Sequence, residues 1–171
     1  MTFDKCVHMI EEGSLEKGGD SFIAAEDNLI VEETKLACVH FLLLCLKREV
    51  RLAVILGEIF GVKSAEGAKI LGITPAAYRQ RLSRGKKELT AFLVRKCGLV
   101  NPINPCHCET LAALHVKKRH IEPENLFFAT HPCRTRRNSN GKDLLKELDQ
   151  MARAVMLIRN HPDYSVHHLF Y

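Results

Sequence analysis

An all-α protein built around a helix-turn-helix is the fold class this sequence predicts, and three observations predict it. Two sets of helix-capping residues flank a short turn at residues 72–75. The run that follows the turn carries an apolar stripe on one side and arginine and lysine on the other. On both sides of this unit, at residues 32–46, 48–60 and 142–159, apolar residues recur at helical spacing.

Taken in order, residues 1–30 are acidic and carry glycines at Gly13, Gly18 and Gly19. Their weak apolar pattern predicts a linker with one short helix at residues 3–11. Leu36, Val39, Leu43 and Leu44 mark an amphipathic helix over residues 32–46. Its apolar run, residues 36–46, contains His40 and is too short to span a bilayer, which takes about 20 residues. Residues 48–60 form the next helix, with Ala53, Leu56 and Phe60 inward, and Gly61 closes it. Ser64 is the expected N-cap of a short helix bearing Ala65, Ala68 and Leu71, and Gly72 ends that helix in a left-handed C-cap. Thr74 caps the next helix, with Pro75 at its first position, where no N–H is needed. Short connections between these helices imply neighbours that pack on each other, as a four-helix unit over residues 32–96.

The second helix of the pair has two faces. Tyr78, Leu82, Leu89 and Phe92 form the stripe that packs inward. Ala76, Arg79, Gln80, Ser83 and Lys87 lie opposite, with Arg81, Arg84 and Lys86 on the flanks. Of the nine residues 79–87, five are basic and none is acidic. An ordinary solvated helix mixes signs to gain i,i+4 pairs, so this bias points to a polyanionic partner. In a helix-turn-helix the second helix lies in the DNA major groove.

Beyond residue 98 the character changes. GLVNPINPCHC holds two Asn-Pro pairs, each pushing the residue before proline out of helical geometry, and predicts a turning segment. Residues 109–119 form a further helix with Leu111, Leu114 and Lys118 on one side, and residues 129–141 a polar loop. Residues 142–159 are an amphipathic helix with Leu145, Leu148, Met151, Ala152, Val155 and Ile158 inward, ending before His161 and Pro162. The chain thus divides into an acidic leader (1–31), the helix-turn-helix domain (32–98) and a C-terminal extension (99–171).

The net charge of +5 conceals a gradient. Residues 1–33 carry nine acids and two bases, and residues 34–100 carry four acids and thirteen bases. A basic centre behind an acidic leader fits a DNA-binding module. No N-terminal segment has the pattern of a secretion signal, and seven cysteines in such a chain are expected as reduced thiols in the cytoplasm. Cys97, Cys106, Cys108 and Cys133, with His107, His115 or His131 nearby, have the residue types of a zinc site. Their spacing is unlike the usual Cys-x2–4-Cys knuckle, so no cofactor is expected and small buried thiols are the simpler reading. Nothing in the sequence brings one cysteine, one histidine and one acid together, and enzyme activity is not expected.

Residues 45–92, CLKREVRLAVILGEIFGVKSAEGAKILGITPAAYRQRLSRGKKELTAF, resemble region 4 of an extracytoplasmic-function (ECF) sigma factor of the bacterial sigma-70 family. GLVNPINPCHC and the late RNHPDY resemble a subgroup of that family with a C-terminal extension. The resemblance implies that the helix over residues 75–96 recognises the −35 promoter element. Arg79, Gln80, Ser83 and Arg84 would meet base edges and adjacent phosphates, and Arg81, Lys86 and Lys87 would hold the backbone. It further implies docking on the beta-subunit flap of core RNA polymerase, and control by an anti-sigma factor is a further expectation. Only about thirty residues precede this unit, too few for the promoter-melting region 2 of a full factor. A fragment of a longer factor or a standalone helix-turn-helix regulator is expected, and promoter opening is not. A rival reading is a protein-interaction module that sequesters polymerase or an anti-sigma factor. Gly67 departs from the family pattern, which favours a branched apolar residue there.

Overall fold

Apolar residues at helical spacing fold most of the described chain into helices. The structure, a computed structural model, describes residues 1–15, 28–130 and 150–159. In chain order the helices are α1 (Phe3–Leu15), α2 (Asn28–Cys45), α3 (Arg48–Val54), α4 (Ser64–Leu71), α5 (Pro75–Lys96), α6 (Cys108–Lys117) and α7 (Gln150–Arg159). The β pairing among the described residues is confined to one isolated parallel bridge between Cys97 and Cys106. The fold is all-α, as expected.

The acidic N-terminal stretch contributes more than a short helix in a linker. Helix α1 buries Cys6 and Ile10 in the same core as Val39, Leu42 and Leu43 of α2 and Leu89, Phe92 and Leu93 of α5. The Phe3 ring lies 5.3 Å from that of Phe92. At the far end of α1, Glu12 pairs with Lys118 at 2.8 Å. Lys118, expected on the apolar side of its helix, therefore points to the polar rim.

Helix α2 buries Leu36, Val39, Leu42 and Leu43, whereas Leu44 stays exposed. The helix expected over residues 48–60 changes character midway: α3 passes at Ile55 into a π turn, Ile55–Ile59. There the Phe60 N–H donates to the Ile55 carbonyl five residues back, at 3.0 Å. A π turn carries one more residue than an α turn, and so rotates everything after it. It brings Glu58 and Ile59 inward and leaves Phe60, expected inside, exposed.

Glu33 of α2 is a buried acid with a structural task. Its carboxylate accepts hydrogen bonds from the backbone N–H groups of Phe127, Phe128 and Ala129, at 2.6–3.0 Å. A buried donor left without a partner costs about 1–3 kcal/mol. Glu33→Ala should therefore destabilise the fold by about 2–3 kcal/mol, with amide exchange rising first at residues 127–129. Unchanged exchange there would show that the carboxylate does not hold this segment.

The Asn-Pro segment forms turns that finish α5. The Asn104 side-chain amide donates to the carbonyls of Val94 (2.8 Å) and Cys97 (3.0 Å), covering acceptors that the helix end leaves open. In α7, Ala154 and Ile158 are buried, and Met151, expected inward, is exposed. The buried pair Ala154 and Ile158, at i,i+4 spacing, faces the core. The expected inward residues Leu145 and Leu148, and most of the polar loop at 129–141, lie outside the described residues.

Candidate nucleic-acid interface

The turn between α4 and α5 follows from its capping chemistry. Gly72 takes φ +63°, the left-handed region where a side chain would be strained. The Gly72 N–H donates to the Lys69 carbonyl and the Ile73 N–H to the Ala68 carbonyl, the paired bonds of a Schellman C-cap. Thr74 then accepts from the Ala77 N–H through its hydroxyl at 3.2 Å, with Pro75 at the first helical position. Ser64 is not the N-cap of α4. That position falls on Lys63, in extended geometry, and Ser64 is the first helical residue.

The angle between the two helices is set by close packing over glycine. Tyr78 of α5 is fully buried and lies so near Gly67 of α4 that a Cβ there would stand 2.4 Å from the ring. At Gly67, where a branched apolar residue was the expectation from the resemblance, the tyrosine ring occupies the space a side chain would take. The Tyr78 hydroxyl donates to the Ala53 carbonyl of α3 at 3.3 Å. Further along α5, a Cβ on Gly85 would stand 2.4 Å from a methyl of Val54 and 2.8 Å from one of Val50. Two glycines thus let α4 and α3 approach α5 backbone to side chain.

With Tyr78, Leu89, Phe92 and Leu93 turned inward, the opposite face of α5 is left to solvent. Ala76, Arg79, Gln80, Ser83, Arg84 and Lys87 are all exposed, and Arg81 and Lys86 are half-buried on its flanks. The helix has 22 residues, a rod of about 33 Å. Arg84 bonds Glu88 one turn on at 2.9 Å, a solvent-facing pair that DNA phosphates could replace at little cost.

Lys86 is held differently. Its ammonium lies 2.8 Å from one carboxylate oxygen of Glu58, on the π turn, and Arg159 of α7 lies 2.8 Å from the other. The Glu58 side chain is only 5% exposed. Burial pushes its carboxyl up, but hydrogen bonds from Lys86 and Arg159 outweigh that and hold it below the usual carboxylate range. A depressed carboxyl contributes stability above its unfolded value, and that stability is lost as pH falls through the folded one. Acidification from the ordinary glutamate range downward should therefore loosen α7 from α5. Limited proteolysis should show cleavage within residues 150–159 rising as pH falls, and less so in Glu58→Gln, which has no charge to lose.

Sequence reading missed Glu58 and Arg159. Their partnership spans 101 positions, and the π turn that turns Glu58 inward has no motif. Of the metal-type residues, the fold brings Cys97 and Cys106 together through the bridge, with the Gly98 N–H donating to the Cys106 carbonyl at 2.8 Å. Among the described residues no group of three or more His, Cys, Asp or Glu side chains could hold a metal ion. Cys133 and His131 lie outside the described residues. Burial keeps the thiols protonated: Cys106 is pushed up to about 12, and Cys97 and Cys108 are raised as well. Among the described residues no helix is long and apolar enough to cross a membrane.

A capped turn, a short first helix and a long second helix with an exposed basic face define a helix-turn-helix protein. The family whose model carries the description "Sigma-70, region 4" matches residues 36–89, from α2 into α5. This match associates that part of the chain with region 4 of the sigma-70 family. No characterised protein and no solved structure shows significant similarity to the chain.

Proposed function

We propose that this protein binds promoter DNA in transcription initiation in the bacterial cytoplasm, with α5 as its recognition helix and the −35 element as its target. The observation that carries the reading is the exposed face of α5, where Arg79, Gln80, Ser83, Arg84 and Lys87 stand together on a helix braced by Tyr78. Arginine can bridge O6 and N7 of guanine and glutamine can pair with adenine, each discriminating by about 1–3 kcal/mol. The similarity to sigma-70 region 4 supports the same reading. Lysine on this face holds phosphates, which position the helix without reading sequence.

The same reading has core RNA polymerase as protein partner, docking through the beta flap. Phe41 and Leu44 of α2 and Leu52 of α3 are apolar side chains left exposed on the matched unit, and they suit an apolar partner. Phe41→Ser and Leu52→Ser variants should co-purify less well with core polymerase while keeping their DNA affinity. Full retention of polymerase by both variants would remove α2 and α3 from that contact. If the wild type binds DNA but never polymerase, the protein is a standalone regulator.

A further inference from the structure

Helix α7 lies beside the basic helix α5 and brings an arginine to its flank. It packs on α5 and on the π turn, with Arg153 and Arg159 as its charged residues. Arg79, Ser83, Lys86 and Thr90 succeed one another at i,i+4 and i,i+3 spacing down one side of α5. Ser83 is exposed and Thr90 is buried, so this row runs from the open recognition face into the packed interior. Lys86 and Arg159 meet at that boundary, joined through opposite oxygens of Glu58.

Glu58 offsets the repulsion between Lys86 and Arg159 and so makes their juxtaposition stable. It engages Arg159 at Nε, and the Arg159 side chain remains 56% exposed. A guanidinium has five N–H donors, and those not committed to Glu58 can meet a second anion.

We infer that α7 is a second DNA-contacting element: Arg159, set beside Lys86 by Glu58, binds a backbone phosphate next to the groove that α5 enters. The partner is double-stranded DNA through its phosphates, so this contact adds affinity and footprint without adding sequence preference. The inference rests on the DNA-binding reading proposed above. Glu58 is a positioning residue that touches no nucleic acid.

The test uses the full chain and a labelled DNA duplex of mixed sequence, with binding followed by fluorescence anisotropy across a range of potassium chloride concentrations. Arg159→Gln should weaken binding several-fold and flatten the log–log salt slope by about 0.9, the signature of one lost phosphate contact. Arg159→Lys, which keeps the charge, should recover most of the slope. The melting temperature of each variant is measured alongside, so that lost binding is not mistaken for lost fold. If Arg79→Ala weakens binding while Arg159→Gln changes neither affinity nor slope, the inference fails and the recognition-helix reading stands. Tighter binding by Arg159→Gln would make α7 a cover over the DNA face and would also overturn it. A wild-type chain with no salt-dependent DNA binding overturns both.

Discussion

Arg79→Ala and Arg84→Ala are each expected to weaken binding to the preferred DNA sequence by between about five-fold and a hundred-fold, the span of a bidentate base contact. Neither should unfold the protein. Both side chains are exposed, and Arg84 gives up only a solvent-facing pair with Glu88, worth about 0.3–0.5 kcal/mol. Lys87→Ala should behave differently, with a loss spread evenly over all sequences and a salt slope flatter by about one. Competition titrations with matched and mismatched duplexes separate the two patterns. If Arg79→Ala weakened all sequences equally, that residue would be a backbone contact and not a base reader.

Adding a single methyl to Gly67 or Gly85 is expected to destabilise the protein despite the higher helix propensity of alanine. Propensity favours Gly→Ala inside a helix by about 1 kcal/mol. Against this, the new Cβ would stand 2.4 Å from the Tyr78 ring in one case and 2.4 Å from Val54 in the other. Overpacking a tight core costs about 1–3 kcal/mol, more where backbone must shift, so the net sign is a loss. For Gly67→Ala the obstacle is one ring, so combining it with Tyr78→Leu should cost less than the two single losses added. For Gly85→Ala the obstacle is two branched residues of α3, and Tyr78→Leu should give no such relief. Thermal melts of the three single and two double variants decide the matter, and a stabilised Gly67→Ala would show that the ring does not hold the α4–α5 angle. That angle also sets how α5 is presented, so Gly67→Ala should bind DNA more weakly at temperatures where it is still folded.

Local chemistry explains which parts of this fold were legible in the sequence. Gly72, Thr74 and Pro75 act within four residues of each other, and their roles emerge directly from φ preference and capping. The exposed and buried faces of α5 follow from one period, because its buried residues all face one packed side. Where the expectation fell short, the cause was a contact distant in sequence or a break in period. The π turn at Ile55–Ile59 shifts the register by one residue, so Phe60 is out and Glu58 is in. No residue in ILGEI announces the insertion; the close approach of Gly57 to Leu82 and Tyr78 accompanies it in the tertiary structure. The packing of α1 was hidden by its acidic composition, although Cys6, Ile10, Val7, Met9 and the Phe3 ring on Phe92 dock it on the core. Glu33 entered only as one acid in the N-terminal charge count, because its three backbone partners lie more than ninety residues away.

The central claim is that α5 reads a DNA sequence. Its most direct test is selection of bound duplexes from a random-sequence pool at fixed salt, run in parallel with the wild type and an Arg79→Ala, Arg84→Ala double variant. The wild type should enrich one short motif, and the double variant should retain bulk DNA binding while losing preference at the positions those arginines contact. Failure of the wild type to enrich any motif, or an identical motif from the double variant, would contradict it.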